Sequence, residues 1–406
     1  GDGDVVDAGE GDNTIIIGSD AGGGEFSSGD GNDSYVIEEG ASGGFYIESG
    51  DGVDEFTVNA GTVTVHSGDG DKTLNLANGT LTNDWNTTYR YDAWISGSGD
   101  DVITTSSDSS VSGNIHTNDG ADIVNISGLL YESSIYTDSG NDIIKLNDAS
   151  TSDWSWVRVY AGSGDDTIEV NGESINRLFL YGGDGDDIID ISEGKLYIYD
   201  RMDPFVRGDS GNDILIGNND KNLMSGGSGK DSINGGNGNN ELYGDDNDDV
   251  KESGSGDDTI YGGNNDDVLN AGGGNDIIYG GNGGGSKGDD GSIDTAVFSG
   301  ASTDYKISRA TDTDYGYVYY IQDKRDDSPD GLDTLYDIDR LRFTDGEAKV
   351  PDEAPVFVDE SLNLGYLDIA FSNDLDPVVS DQLSALVLED AEITYGPAES
   401  TGPYGD

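Results

Sequence analysis

The side chains in this sequence that could do chemistry are aspartates, and they recur at a fixed distance from glycine. From Gly208 the chain passes without a gap through nine nonapeptides: GDSGNDILI, GNNDKNLMS, GGSGKDSIN, GGNGNNELY, GDDNDDVKE, SGSGDDTIY, GGNNDDVLN, AGGGNDIIY and GGNGGGSKG. The template is G-G-x-G-x-D-x-U-x, where U is a large apolar residue. Glycine admits the positive φ of a tight turn and lets carbonyl oxygens approach a ligand closely. The sixth-place aspartate adds a hard, charged oxygen. Oxygen donors of this kind suit a hard cation, and calcium takes six to eight of them at about 2.3–2.6 Å. One turn offers too few, but two turns stacked about 4.8 Å apart can share an ion.

Such turns have to be held by strands, and the sequence supplies them. Upstream of the array the same turn returns at intervals of 18 to 29 residues, in frames beginning at Ala8, Ser28, Ser49, Ser67, Ser96, Thr117, Thr137, Ala161 and Gly182. Two nonapeptides make 18 residues, so each upstream coil is expected to keep one turn and replace the opposite one with a loop of variable length. The eighth place of these frames reads Ile15, Tyr35, Phe56, Leu74, Ile103, Val124, Ile144, Ile168, Ile189. The tenth reads Ile17, Ile37, Val58, Leu76, Thr105, Ile126, Leu146, Val170, Ile191. Two residues before each later frame stand Phe26, Ile47, Val65, Trp94, Ile115, Ile135, Val159, Leu180 and Val206. A period of two with β-branched enrichment marks strands with one face inward. Stacking the coils would turn these positions into three inner ladders around a narrow core.

The nine frames resemble the calcium-binding nonapeptide repeat of the RTX (repeats-in-toxin, hemolysin-type) proteins. The resemblance implies an all-β fold, a right-handed parallel β-roll or β-helix solenoid with calcium-binding turns and a C-terminal β cap. It implies calcium as the cofactor, on the order of ten ions. The ligand carboxylates it implies are Asp33, Asp54, Asp101, Asp122, Asp142, Asp166, Asp187, Asp213, Asp231, Asp249, Asp258, Asp267 and Asp276. Carbonyl ligands would come from the second- and fourth-place glycines: Gly29, Gly31, Gly50, Gly52, Gly97, Gly99, Gly120, Gly140, Gly162, Gly164, Gly183, Gly185, Gly211, Gly227, Gly229, Gly254, Gly256, Gly263, Gly272 and Gly274. In the tandem region alternate nonapeptides should share an edge. One edge is Asp213, Asp231, Asp249, Asp267, continuing the upstream file. The other is Asn222, Asn240, Asp258, Asp276, with weaker or absent sites at its start.

Four frames depart from the template at the sixth place, with Asn13, Asn222, Asn240 and Lys72. Gly285 ends the array. At Lys72 two readings stand side by side: its ammonium replaces an ion between Asp54 and Asp101, or the turn is simply empty. Lys251 and Lys287 occupy the apolar eighth place. The first is read as a one-residue slip onto Val250, the second as the end of the roll.

The chain has 406 residues, with 83 acidic and 19 basic side chains, a net charge of −64, and no cysteine. Charge of this sign repels phosphate, so nucleic acid and anionic lipid surfaces are not expected partners. Disulfides and cysteine-based metal sites are impossible. No apolar run approaches the roughly 18 residues of a membrane span. With 33% hydrophobic residues and this charge, the chain without a counterion falls in the disordered class.

No enzyme signature stands out. The two histidines, His66 and His116, form no H-E-x-x-H zinc motif, and no G-x-S-x-G elbow occurs. Both are expected on the outward face, two coils and about 10 Å apart, as solvated surface residues. Trp85 and Trp94 flank NTTYRYDA, Trp154 and Trp156 precede Arg158, and a third insertion holds Tyr197, Tyr199, Arg201, Phe205 and Arg207. These clusters read either as interface or sugar-stacking platforms or as small satellite cores under their own loops.

Four segments follow. Residues 1–207 are expected to form an irregular solenoid and 208–288 a tandem roll. Residues 289–347 resemble the segment that caps RTX arrays, through DGLDTLYDIDRLRFTDG. Residues 348–406 form an acidic tail, a candidate secretion signal or inter-subunit strand. The opening glycine, within the partial repeat GDGDVVD, reads as the start of a fragment or processed product. The resulting expectation is a secreted bacterial protein, extracellular or at the cell surface, not an enzyme, folding on extracellular calcium. It would serve a structural or adhesive role in a surface layer, filament or adhesin stalk. Its expected partners are calcium, copies of itself or cell-surface polysaccharide, without membrane insertion. The competing expectation is a non-catalytic accessory module of a larger secreted lipase, protease or polysaccharide-modifying enzyme.

Overall fold

The computed structural model describes residues 3–83, 91–151, 155–172, 175–197, 205–281, 292–312 and 316–349. Almost everything in it is strand, and almost all the pairing is parallel. One ladder begins at Asp4–Asp7, continues through Gly23–Ser27, Gly44–Ser49 and Thr62–Ser67, and ends at Leu332–Tyr336. A second begins at Thr14–Ile17, continues through Ser34–Ile37, Asp54–Val58 and Lys72–Leu76, and ends at Arg340–Phe343. The chain alternates between the two ladders, so each coil stacks on the one before it as a parallel β-solenoid.

The inner rows are those the alternation predicts. Along the first ladder Phe26, Ile47, Val65, Trp94, Ile115, Ile135, Val159, Leu180 and Val206 are in register, followed by Met224, Leu242, Ile260, Ile278 and Leu335. Along the second ladder Ile15, Tyr35, Phe56, Leu74, Ile103, Val124, Ile144, Ile168 and Ile189 do the same. Every one of these side chains is buried, as are Ile17, Ile37, Val58, Leu76, Thr105, Ile126, Leu146, Val170 and Ile191 in the third row. In the tandem region the register advances by two nonapeptides per rung, as Met224↔Leu242↔Ile260↔Ile278 shows. A nonapeptide has no tenth residue to feed a third row, so the third row belongs to the longer upstream coils.

Two features differ from the expectation. The upstream coils are not simply looped opposite the turn. Thr80–Thr82 and Ser110–Ser112 pair in parallel, and Ser110–Ser112 pairs onward with the far half of Ile123–Tyr131, burying Leu81, Val111 and Leu130. The added residues thus build a short third side. The second difference is a correction at Lys251. No slip onto Val250 takes place: Lys251 stands in register between Ile233 and Leu269 and is 0% exposed, while Val250 points outward at 47%. The reason lies in where its ammonium goes, described below.

Beyond the array the ladders continue for one more rung or two, through Thr295–Val297, Leu332–Tyr336 and Arg340–Phe343. Antiparallel strands then pair with the last rungs. Gly316–Asp323 pairs with both Tyr305–Asp312 and Leu332–Tyr336, and Gly346–Lys349 pairs with Arg340–Phe343. The tail from residue 350 lies outside the described residues, as do Lys287 and Gly285.

Candidate metal centre

Each sixth-place aspartate sits where its turn enters a strand of the second ladder or, in alternate tandem frames, the first. The strand fixes the backbone, and the eighth-place residue two positions on is anchored in the core, so the carboxylate is drawn inward under the turn. All thirteen of the aspartates named above are buried. Eleven of them line one edge in a single file, interrupted at Lys72 between Asp54 and Asp101. The backbone N–H of Asp101 donates to Oδ1 of Asp122 at 2.8 Å, Asp122 to Asp142 at 2.8 Å, Asp142 to Asp166 at 2.7 Å and Asp166 to Asp187 at 2.8 Å. The file runs on through Asp213, Asp231, Asp249 and Asp267 with bonds of 2.8–2.9 Å. A second file occupies the opposite edge, from Asn222 to Asn240 to Asp258 to Asp276.

Both files extend further than the nonapeptides. Asp267 donates to Asp294 Oδ1 at 3.0 Å, and Asp276 donates to Asp333 Oδ1 at 3.0 Å. Sequence reasoning stopped at Gly285 and missed these two. The signal was present in GSIDTAV and DGLDTLY, where an aspartate precedes an apolar residue by two places, but the spacing there is no longer nine.

One oxygen is thereby used; the other meets a serine hydroxyl in Asp101 and Asp258 and a lysine ammonium in Asp54 and Asp249, and is left over in the rest of the thirteen. Oδ2 of Asp33, Asp122, Asp142, Asp166, Asp187, Asp213, Asp231, Asp267 and Asp276 is buried with no hydrogen-bond partner. An unpaired buried carboxylate oxygen is costly unless a counter-charge meets it. Where the turn opens with glycine this oxygen lies against it: a Cβ added at Gly208 or Gly226 would overlap Oδ2 of Asp213 or Asp231. At Gly208 the same Cβ would also meet the Gly226 carbonyl of the next coil. Carboxylate and backbone carbonyl oxygens therefore converge under the turn. Among the described residues no group of three or more acidic or histidine side chains converges on a point. The donor set each turn offers is one carboxylate plus glycine carbonyls, which is the chemistry of a calcium ligand shell.

Burial is also the main cause of the electrostatics. Desolvation pushes Asp122, Asp142, Asp166, Asp213, Asp231, Asp249 and Asp258 up to about 6 and Asp101, Asp267 and Asp276 to about 7. Asp187 and Asp294 reach about 8, where neighbouring carboxylates of the file add to the desolvation. Backbone N–H donors pull the other way throughout but do not prevail.

A parallel β-solenoid with a glycine turn, a buried aspartate file and unpaired carboxylate oxygens defines the class of this protein. The RTX calcium-binding nonapeptide repeat family matches the chain in four copies, at residues 179–194, 205–233, 225–250 and 252–290. The chain thus carries RTX calcium-binding repeats on a β-solenoid. The matched copies begin at residue 179, whereas the aspartate file and its ladders run unbroken from Asp101 into them. No curated protein matches the chain.

The remaining candidate residues are placed as follows. His66 and His116 face outward two rungs apart, across Ile95. Neither is simply solvated: His116 Nε2 lies 3.1 Å from Asp92 and its ring stacks on Tyr136, and His66 Nδ1 lies 2.9 Å from the Tyr46 hydroxyl. Trp94 is fully buried edge-on to Phe56, and the Arg158 guanidinium lies 3.9 Å above the Trp156 ring. Trp85, Trp154, Tyr199 and Arg201 fall outside the described residues. Among the described residues no helix is long and apolar enough to cross a membrane.

Proposed function

We propose that the protein is a secreted calcium-binding solenoid that folds when it meets extracellular calcium and serves a structural or adhesive role at the cell surface. The supporting observation is the row of buried Oδ2 atoms without partners, repeated coil after coil. The turn that gathers these oxygens exists only when coils stack, so ion binding and folding are one equilibrium. Extracellular calcium modules typically work at about 0.1–1 mM, a range that separates the medium from a calcium-poor cytoplasm. The shape supports a stalk or array: narrow core, repeated rungs, and a surface that is overwhelmingly acidic.

The test has two parts. Far-UV circular dichroism during a calcium titration is expected to show a largely coil spectrum in EDTA and a full β spectrum in millimolar calcium. Electron microscopy of the calcium form is then expected to show filaments or ordered sheets that vanish on chelation. A β spectrum indifferent to EDTA would overturn the folding reading. Monodisperse particles under both conditions would overturn the structural role and leave the accessory-module reading in its place.

A further inference from the structure

Two lysines lie where the turns gather oxygens, and both are fully buried. The Lys72 ammonium donates to the Gly52 carbonyl at 2.6 Å and to the Asp69 carbonyl at 2.8 Å, and lies 3.4 Å from Asp54 Oδ2. The Lys251 ammonium lies 3.4 Å from Asp249 Oδ2, 3.2 Å from the Gly262 carbonyl and 3.9 Å from Asp267 Oδ1. They arrive by different routes. Lys72 takes the sixth place of its own turn, where other frames carry aspartate. Lys251 takes the apolar eighth place and threads its stem from the core row up to the turn.

The Gly244 turn shows what the second lysine meets. A Cβ at Gly244 would touch Asp249 Oδ2, the Gly262 carbonyl and the Lys251 ammonium together. The corresponding Cβ at Gly208 would touch Asp213 Oδ2 and the Gly226 carbonyl, with no cation among them. The oxygen pair is the same in both turns and only one carries a nitrogen. Where asparagine replaces the aspartate, its amide also turns onto turn carbonyls: Asn222 Nδ2 donates to Asp220 O at 2.8 Å and Gly235 O at 2.9 Å, and Asn240 Nδ2 to Ser253 O at 3.0 Å.

We propose that Lys72 and Lys251 are tethered ammonium ions standing in for calcium in their turns. The inference rests on the calcium reading above. A cation carried by the chain needs no ion from the medium, so these turns stay closed on chelation. They divide the solenoid into calcium-dependent blocks, chiefly Asp101 to Asp231, held between two metal-independent staples.

The experiment is calcium stoichiometry by equilibrium dialysis at saturating calcium, on the full chain and on K72D and K251L. Each variant restores the template residue and is expected to bind one more calcium than the parent. An unchanged stoichiometry in both folded variants overturns the proposal, whereas a parent that binds no calcium overturns the calcium reading itself. Hydrogen exchange on the parent in EGTA covers the case in which a variant fails to fold. Amides of Gly52–Lys72 and Gly244–Lys251 are expected to keep protection that Asp122–Asp187 loses. Equal loss across all three segments would also overturn the proposal.

Discussion

In the buried aspartates from Asp122 to Asp231 the two oxygens have separate fates. Oδ1 accepts the N–H of the preceding coil and locks the register, while Oδ2 is left facing the turn. Without a cation the fold therefore favours the protonated acid. Burial pushes Asp122 up to about 6, Asp101 to about 7 and Asp187 to about 8, above the ordinary carboxylate value near 4. Between those limits the folded metal-free chain binds more protons than the unfolded one, so its stability is greatest in acid and falls as pH rises through about 6–8. In chelator, lowering the pH from about 8 to about 5 is expected to raise the β signal reversibly. A signal flat across that interval would show that burial of the file is not what opens the metal-free chain. The aspartates were legible in the sequence because residue type and spacing coincide. Lys251 was not, since a lysine on an apolar row looks like a misplaced frame until its ammonium is seen to reach the turn. Asp294 and Asp333 were hidden by the loss of the nine-residue spacing, although the ladder register continues through both strands that follow them.

At the level of turn and strand, close stacking sets the constraint. Gly140 has φ of 141° and a Cβ there would collide with the Gly120 carbonyl of the coil below. G140A is expected to destabilise its coil by about 1–3 kcal/mol and to raise the calcium midpoint of folding accordingly. G18A, whose Cβ would meet nothing closer than the Glu38 carboxylate at 3.9 Å, is the control and should leave the midpoint in place. Equal midpoints for the two variants would refute the packing argument. The strands themselves were readable from period-two alternation, since each inner row is a single residue type class repeated. The short third side was not, because Leu81, Val111 and Leu130 stand in segments of unequal length with no frame to align them. The antiparallel pairing of Tyr305–Asp312 with Gly316–Asp323 follows a local hairpin and owes nothing to the repeat.

Taken whole, the molecule is a one-dimensional stack in which each coil bears chiefly on its neighbours. Charge belongs to this scale. The net charge is −64, and on the calcium reading ions shared between coils would offset part of it. The parallel pairing has a mechanical consequence. Strands that lie across the long axis resist tension only through the hydrogen bonds of one rung at a time, so a pull along the axis peels coils off singly. In the tandem region each coil of 18 residues would release about 60 Å of extended chain. A force–extension trace is expected to show a train of small, evenly spaced steps, their height rising with calcium, rather than one large rupture. A chain that gave such a trace would lengthen under load and rewind when the load is removed, a shock absorber whose stiffness would be set by the surrounding ion concentration.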